Sequence, residues 1–262
     1  MPLNFARDLV YGVYERNLER DVKAAPLPQH VGLIIDGNRR FARRNGLADV
    51  AKGHKRGADK MDEVLQWAEE LEIPTITVWI LSIDNLQRPQ AELMPLLEII
   101  EQKIAELAAL QTKTRHPRRI RGIGSLDLLP ESTREAVAVA EEATAGYGPW
   151  ALNFAVCYGG REEITDAVRR LLAESAAKGE SLESVSAGLK PEAISRYLYM
   201  SEHPDPDLII RTSGEVRLGG FMLWQSVYSE FYFCDVYWPA FRRIDFLRAI
   251  RSYQARTQRR GR

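Results

Sequence analysis

Five arginines and one aspartate in this 262-residue sequence stand where short β-prone runs end. Val31–Ile35 runs into Asp36-Gly37-Asn38-Arg39-Arg40, and Thr75–Leu81 into Ser82-Ile83-Asp84-Asn85, with Arg88 close behind. Ala151–Tyr158 gives way to Gly159-Gly160-Arg161, and Asp207–Ile210 to Arg211-Thr212-Ser213-Gly214-Glu215 followed by Arg217. In open parallel sheets ligands bind beyond the carboxyl ends of the strands, so Arg39, Arg40, Arg88, Arg211 and Arg217 belong beside one ligand. The planar guanidinium donates two parallel charge-assisted bonds to phosphate, and a glycine-containing turn entering a helix adds N–H donors. That combination predicts a polyanion site. Asp36 has two readings: a ligand to magnesium shared with phosphate oxygens, or a helix N-cap.

Composition narrows the class. Lys plus Arg and Asp plus Glu both number 36, and this zero net charge disfavours a nucleic-acid partner. Neither a P-loop nor a glycine-rich dinucleotide motif occurs, and an aspartyl phosphatase would carry a second Asp where Asn38 stands. The four histidines form no ligand pair, and Cys157 and Cys234 read as buried reduced thiols, which fits a cytoplasmic protein. No apolar run approaches the ~18 residues of a membrane span, and Arg7 and Asp8 interrupt any secretion signal.

The elements that must position the arginines follow from periodicity. The four runs above, with Arg119–Ile123 and Phe231–Phe233, read as six strands. Met61, Val64, Leu65, Ala68 and Leu71 share one helical face, as do Leu93, Leu96, Leu97, Ile100, Ile104 and Leu107. Ile164, Val168, Leu171 and Leu172 mark another helix, and Asp245–Thr257 a closing one. The expectation is an α/β fold: a central, mainly parallel six-stranded sheet covered by helices on both faces, in one domain over residues 1–262. Residues 1–22 form an amphipathic helix whose Phe5, Leu9, Val13 and Tyr14 pack on that domain or on a subunit partner. Ser175–Leu189 reads as a surface excursion and basic Thr112–Arg121 as a solvated helix end and loop.

In order along the chain, His30–Ala42, Gly53-His54-Lys55, Leu81–Arg88, Tyr158-Gly159-Gly160-Arg161, Pro206–Glu215 and Phe221–Glu230 resemble the cis-prenyltransferases, the family of undecaprenyl diphosphate synthase. The resemblance implies a homodimer and a hydrophobic tunnel beside the sheet. It implies that Asp36 holds Mg2+ on an allylic diphosphate cradled by Gly37, Asn38, Arg39 and Arg40, and that Glu230 is a second metal ligand. Phe41, His54, Ser82, Ile83, Asp84, Leu86 and Arg88 would contact substrate. Arg211, Arg217, Leu218 and Gly219 would serve isopentenyl diphosphate. Asn85 would stand near the reacting carbons, where a neutral amide orients substrate better than it removes a proton. The final Arg259-Arg260-Gly261-Arg262 is similar to a terminal Arg-x-Gly that reaches the neighbouring subunit's site, though a frayed basic tail is an equal reading.

The departures from that family point one way. Arg39 stands where many long-chain synthases have Gly, Phe41 and Leu86 where Trp is common, Asp84 where Glu is usual, and Gly219 where Ser is frequent. An Arg common between Gly46 and His54 is missing, and Ile80 replaces a small Ala. These features are similar to the short-chain branch, the (2Z,6E)-farnesyl diphosphate synthases, with Ile80 limiting chain length. The expected reaction joins isopentenyl diphosphate to geranyl diphosphate. A longer-chain polyprenyl diphosphate synthase and a non-catalytic subunit of one remain as alternatives. The absence of Asp-Asp-x-x-Asp argues against the trans-prenyltransferases.

Overall fold

The computed structural model describes the backbone of residues 2–47 and 49–257, and the side chains of residues 11–47 and 49–256. The terminal Arg259–Arg262 lie outside the described residues, as do the side chains of Phe5 and Leu9. The strands are β1 (His30–Ile34), β2 (Thr75–Trp79), β3 (Arg119–Ile123), β4 (Ala151–Ala155), β5 (Leu208–Arg211) and β6 (Glu230–Phe233). They form one sheet in the order β3-β4-β2-β1-β5-β6, with every pairing parallel. The helices are α1 (Pro2–Lys23), α2 (Asn38–Arg44), α3 (Val50–Glu70), α4 (Gln90–Leu110), α5 (Glu131–Thr144), α6 (Gly160–Ala177), α7 (Leu182–Gly188), α8 (Pro191–Ser195) and α9 (Arg243–Thr257).

The chain leaves β1 toward β2 on one side and returns to β5 on the other, so strand order reverses beside β1. That switch point is where an open α/β sheet makes its ligand crevice. Ile34 pairs with Arg211, placing the turns after β1 and β5 side by side at its lip.

Side chains alternate between two unequal layers. Val31, Leu33, Ile76, Val78, Leu152, Phe154, Leu208 and Ile210 enter a large core with α3, α4, α5 and α9. Ile34, Ala155 and Ile209 face a smaller cluster with Tyr158, Met200, Phe221 and Met222. On that second side, polar His30, Thr77 and Asn153 are wholly buried and joined through the Thr77 hydroxyl, at 2.8 Å from His30 and 3.1 Å from Asn153.

The periodic faces predicted for α3 and α4 are buried in full. Several details differ from the sequence reading. β2 stops at Trp79 because the N–H groups of Ile80 and Leu81 both turn to the Ala155 carbonyl, 3.0 and 3.3 Å away. On α6 the buried positions are Gly160, Glu163, Ala167 and Leu171, while Leu172 is exposed; hydrophobicity alone misphased that helix. Ser175–Leu189 contains the end of α6 and all of α7, which Ser181 caps by accepting the Ser184 N–H. In α1 it is Leu18 and Val22 that are buried, whereas Val13 and Tyr14 are exposed. Arg118, expected in a solvated loop, is buried; it donates to the carbonyls of Ile73, Pro74 and Ala151 and lies over Trp150. Cys157 and Cys234 are buried free thiols, as expected.

Candidate active site

A cavity of about 580 Å³ opens at the switch point. From the turn after β1 it takes Asp36, Gly37, Asn38, Arg39 and Arg40. From the segment after β2 it takes Ile80, Ser82, Asn85 and Arg88, and from the end of β5 and the loop beyond it Arg211, Arg217 and Gly219, with His54 reaching in from α3. All five arginines singled out in the sequence therefore meet here. Ile34, Ile35, Arg43, Trp79, Leu96 and Glu215 also line it and were not among the predicted site residues.

Asp36 is not a helix cap. Gly37 occupies the N-cap position of α2 with φ of 107°, and a Cβ there would stand 2.9 Å from Tyr237. The Asp36 carboxylate instead accepts from Arg40 at 3.2 Å and Arg211 at 3.1 Å, both on Oδ2. Burial opposes its charge, but Arg211, Ser213 and Arg40 outweigh that and hold the carboxyl below its ordinary range. Asp36 is thus an anion at the floor of a cationic cavity.

The arginines differ in how they are held. Arg211 is buried, bonded to Asp36 and to the Arg217 carbonyl, and its Nε has no protein partner. Arg40 bridges Asp36, Ser213 and Glu215. Arg39 and Arg88 both pair with Glu92, at 3.3 and 3.2 Å, and Arg217 pairs with Glu215 at 2.6 Å. A phosphate would replace surface carboxylates on these three, whereas Arg211 is fixed in advance.

His54 and Asn38 sit at the inner wall. His54 is pushed down to about 4, first by burial and then by Arg88, so the ring is neutral at pH 7. His54 Nε2 and Asn38 Oδ1 are both buried without a protein partner. Asn85 Oδ1 accepts the Ser82 N–H at 3.3 Å, which leaves its amide NH2 as a donor, and a neutral amide nitrogen has no basic lone pair to take a proton.

Behind this wall, a second, narrow cavity of about 40 Å³ runs between α3 and α4, lined by Ala58, Met61, Ile99, Ile100 and Ile104. Ile35, Asn38, His54, Ile80 and Leu96 line both cavities and form the junction. This narrow apolar passage lies beside the sheet, where the resemblance implies a hydrophobic tunnel.

Other expected residues are not drawn into the polar cavity. Ile83 and Asp84 line a neighbouring cavity with Gly159, Gly160 and Arg161. Leu86 packs on the main core and Leu218 on the smaller cluster, while Phe41 lines neither the polar cavity nor the tunnel. Gly219 has φ of 63°, and a Cβ would stand 3.3 Å from Arg211, so glycine here serves the loop's path. Glu230 lies apart from Asp36 within one chain. It opens β6 opposite Leu208 and pairs with Arg256, whereas Asp36 lies past the other end of the strands, ~10 Å or more along them. One chain cannot bring both carboxylates onto one ion.

The loop carrying Arg217 and Gly219 is braced by Glu163, which sequence reasoning missed because a first-turn Glu reads as solvated. Glu163 is buried and accepts from Tyr158 at 2.5 Å, Gln225 at 2.9 Å and the Tyr199 N–H at 3.0 Å. The Tyr158 hydroxyl in turn accepts the Met222 N–H.

A cationic cavity joined to a narrow apolar passage has the chemistry to suit a ligand with a polyanionic head and a hydrocarbon tail. The comparisons agree. Residues 34–261 match the family model described as "Putative undecaprenyl diphosphate synthase". An isoprenyl transferase of Deinococcus radiodurans is 54% identical over 254 residues, covering 97% of this chain and 92% of the relative. A (2Z,6E)-farnesyl diphosphate synthase of Thermobifida fusca is 52% identical over 252 residues, covering 96% and 97%. The crystal structure of lavandulyl diphosphate synthase from Lavandula x intermedia, in complex with dimethylallyl diphosphate, superposes with a TM-score of 0.80 at 32% identity, covering 87% of this chain and 95% of that one. The chain belongs to the cis-prenyltransferase family and is an isoprenyl transferase.

Proposed function

We propose that the chain condenses isopentenyl diphosphate with geranyl diphosphate, giving (2Z,6E)-farnesyl diphosphate and diphosphate. The observation that carries this reading is the junction of cradle and tunnel: Ile80 stands in the wall of both, at the entrance to a narrow apolar passage. An interior packed like a crystal has no slack for added isoprene units without rearrangement. The Thermobifida fusca relative, named for this product, supports the same length.

Asp36 fits Mg2+. Among the described residues no cluster of three or more ligating side chains exists, and magnesium suits one carboxylate with phosphate oxygens and water completing its shell. When bound there, it neutralises charge on the leaving diphosphate. Arg39 and Arg40 hold the allylic diphosphate as the C–O bond breaks and its electron pair passes to the leaving oxygen. Arg211 and Arg217 hold isopentenyl diphosphate so that its terminal alkene carbon forms the new C–C bond. Asn85 orients that group through its free NH2, and the lost proton passes to a diphosphate oxygen. The tunnel excludes water from the cationic carbon.

A homodimer belongs to this proposal. β6 is an edge strand with partly exposed Phe231 and Phe233, close in sequence to exposed Val227 and Tyr228, an apolar face suited to a second copy. Any metal role for Glu230 would then fall to another chain's site. No described helix is long and apolar enough to cross a membrane. The deciding assay supplies labelled isopentenyl diphosphate with dimethylallyl, geranyl or farnesyl diphosphate and chromatographs the dephosphorylated products. Fifteen-carbon alcohol from geranyl diphosphate is expected, and a ladder of much longer chains would refute the short-chain reading.

A further inference from the structure

Lys103 is the one charged side chain lining the tunnel among the described residues. It falls in phase with Leu96, Ile100 and Leu107 on the buried face of α4, so its stem is part of the apolar wall. Its ammonium group leaves that wall to meet Asp62 of α3 at 3.0 Å and Glu106 of α4 at 2.7 Å. The Lys103 side chain is 10% exposed, while those of Asp62 and Glu106 are 44% and 60% exposed. The ion pair therefore marks where the passage between the helices meets solvent. Burial works against the charge, but the two carboxylates outweigh it and raise the pKa, so the group stays charged.

We propose that Lys103, clamped by Asp62 and Glu106, is the distal end-stop of the tunnel and sets the greatest prenyl length the enzyme can hold. This rests on the reading of the tunnel as the prenyl site. The seven residues from Leu96 at the junction to Lys103 rise ~10 Å along α4. An isoprene unit has four main-chain bonds of about 1.5 Å and spans about 5 Å when extended. Two units match that distance in length, and in the narrow cavity of about 40 Å³ they are admitted only as the side chains of α3 and α4 part. A third would have to part the ammonium from two carboxylates and leave those charges against hydrocarbon, which is costly because buried charge needs its partners. Ile80 and Lys103 act at opposite ends: Ile80 narrows the entrance, and Lys103 closes the exit.

The test compares product ladders from wild type, Ile80→Ala, Lys103→Ala and the double variant, with Lys103→Arg as the conservative control. Asp62 and Glu106 are solvated enough to survive loss of the ammonium, and melting curves check folding. If Ile80 is the first limit, Ile80→Ala lengthens products up to a sharp cutoff, and the double variant alone runs past it. If Ile80 is not limiting, Lys103→Ala alone must lengthen products. Lys103→Arg keeps the cutoff of its background. A Lys103→Ala change that lengthens products in neither background overturns the end-stop. Calorimetry with unreactive ten- and twenty-carbon prenyl thiolodiphosphates tests it even if turnover is absent. Lys103→Ala, in the wild-type or Ile80→Ala background, should favour the twenty-carbon ligand over the ten-carbon one by ~tenfold or more relative to its parent. An unchanged preference in both backgrounds counts against the proposal, whereas a failure of wild type to transfer isopentenyl groups counts only against the function proposed above.

Discussion

The polar cavity and the apolar tunnel share one wall, formed by Ile35, Asn38, His54, Ile80 and Leu96, yet they are built on different principles. The cavity collects backbone turns and charged groups from three strand ends, and its geometry is fixed by hydrogen bonds such as those between Asp36, Arg40 and Arg211. The tunnel is a spacing between two helices, fixed by the volume of side chains such as Met61 and Ile100. Substitutions in the first should change rate or affinity at constant product. Substitutions in the second should change which product is released.

The strongest test of that division is Asp36→Ala. Losing one donor to developing charge costs ~10²–10³ in rate, and loss of the carboxylate proposed to hold magnesium should cost at least as much. Near-normal turnover at saturating magnesium would reduce Asp36 to a partner for Arg211. Any residual product should keep its wild-type length.

Next come Arg211→Ala and Arg217→Ala, expected to weaken isopentenyl diphosphate binding by about 10- to 150-fold, the equivalent of ~1.5–3 kcal/mol per lost charged hydrogen bond. Arg211 should lie at the upper end because it is buried and already fixed, and Arg217, largely exposed on Glu215, at the lower end. Calorimetry with isopentenyl diphosphate measures both, and two unaffected variants would remove this subsite from the cavity.

A third region gives a control, since it touches neither cavity nor tunnel. Burial pushes His30 down to about 4 from an ordinary value of 6.5, so the folded protein holds the ring neutral between Thr77 and Pro204. The unfolded chain binds the proton more readily between those values. This contribution is fully present above about pH 6.5 and is lost as pH falls toward 4, worth about 3 kcal/mol in all. Denaturant unfolding at pH 7, 6, 5 and 4 should show the fall, with His54 acting in the same direction. A flat profile would mean that the ring is not held neutral.

The smallest energy should produce the most visible change in product. Ile80→Ala relieves an obstruction of roughly 1–3 kcal/mol and should move products beyond fifteen carbons. Trp79→Ala should destabilise without lengthening, because Trp79 stacks on Phe221 at 5.4 Å in the smaller core, facing the opposite side of the sheet from Ile80's contacts. Chromatography of the dephosphorylated products and a melting curve separate the two; lengthening by Trp79→Ala alone would move the limit to the other face.

By itself the sequence determined the six strands, their parallel order beside helices, and the convergence of Arg39, Arg40, Arg88, Arg211 and Arg217. Two-residue and 3.6-residue periodicities are local, and a parallel α/β sheet sends all its strand ends to one edge. Lys103 also carried a local sign, standing in the apolar phase of α4. Tertiary structure alone decided the rest. It removed the helix-cap reading of Asp36, because a carboxylate shows its partner only when a strand 175 residues away arrives. It buried Glu163 and Arg118, whose types read as solvated until the groups that satisfy them were in place. It separated Glu230 from Asp36, because Glu230 begins β6 whereas Asp36 follows the end of β1, at opposite edges of a parallel sheet. The width of the tunnel belongs to neither α3 nor α4 but to the distance at which their side chains meet, and no single segment encodes that distance.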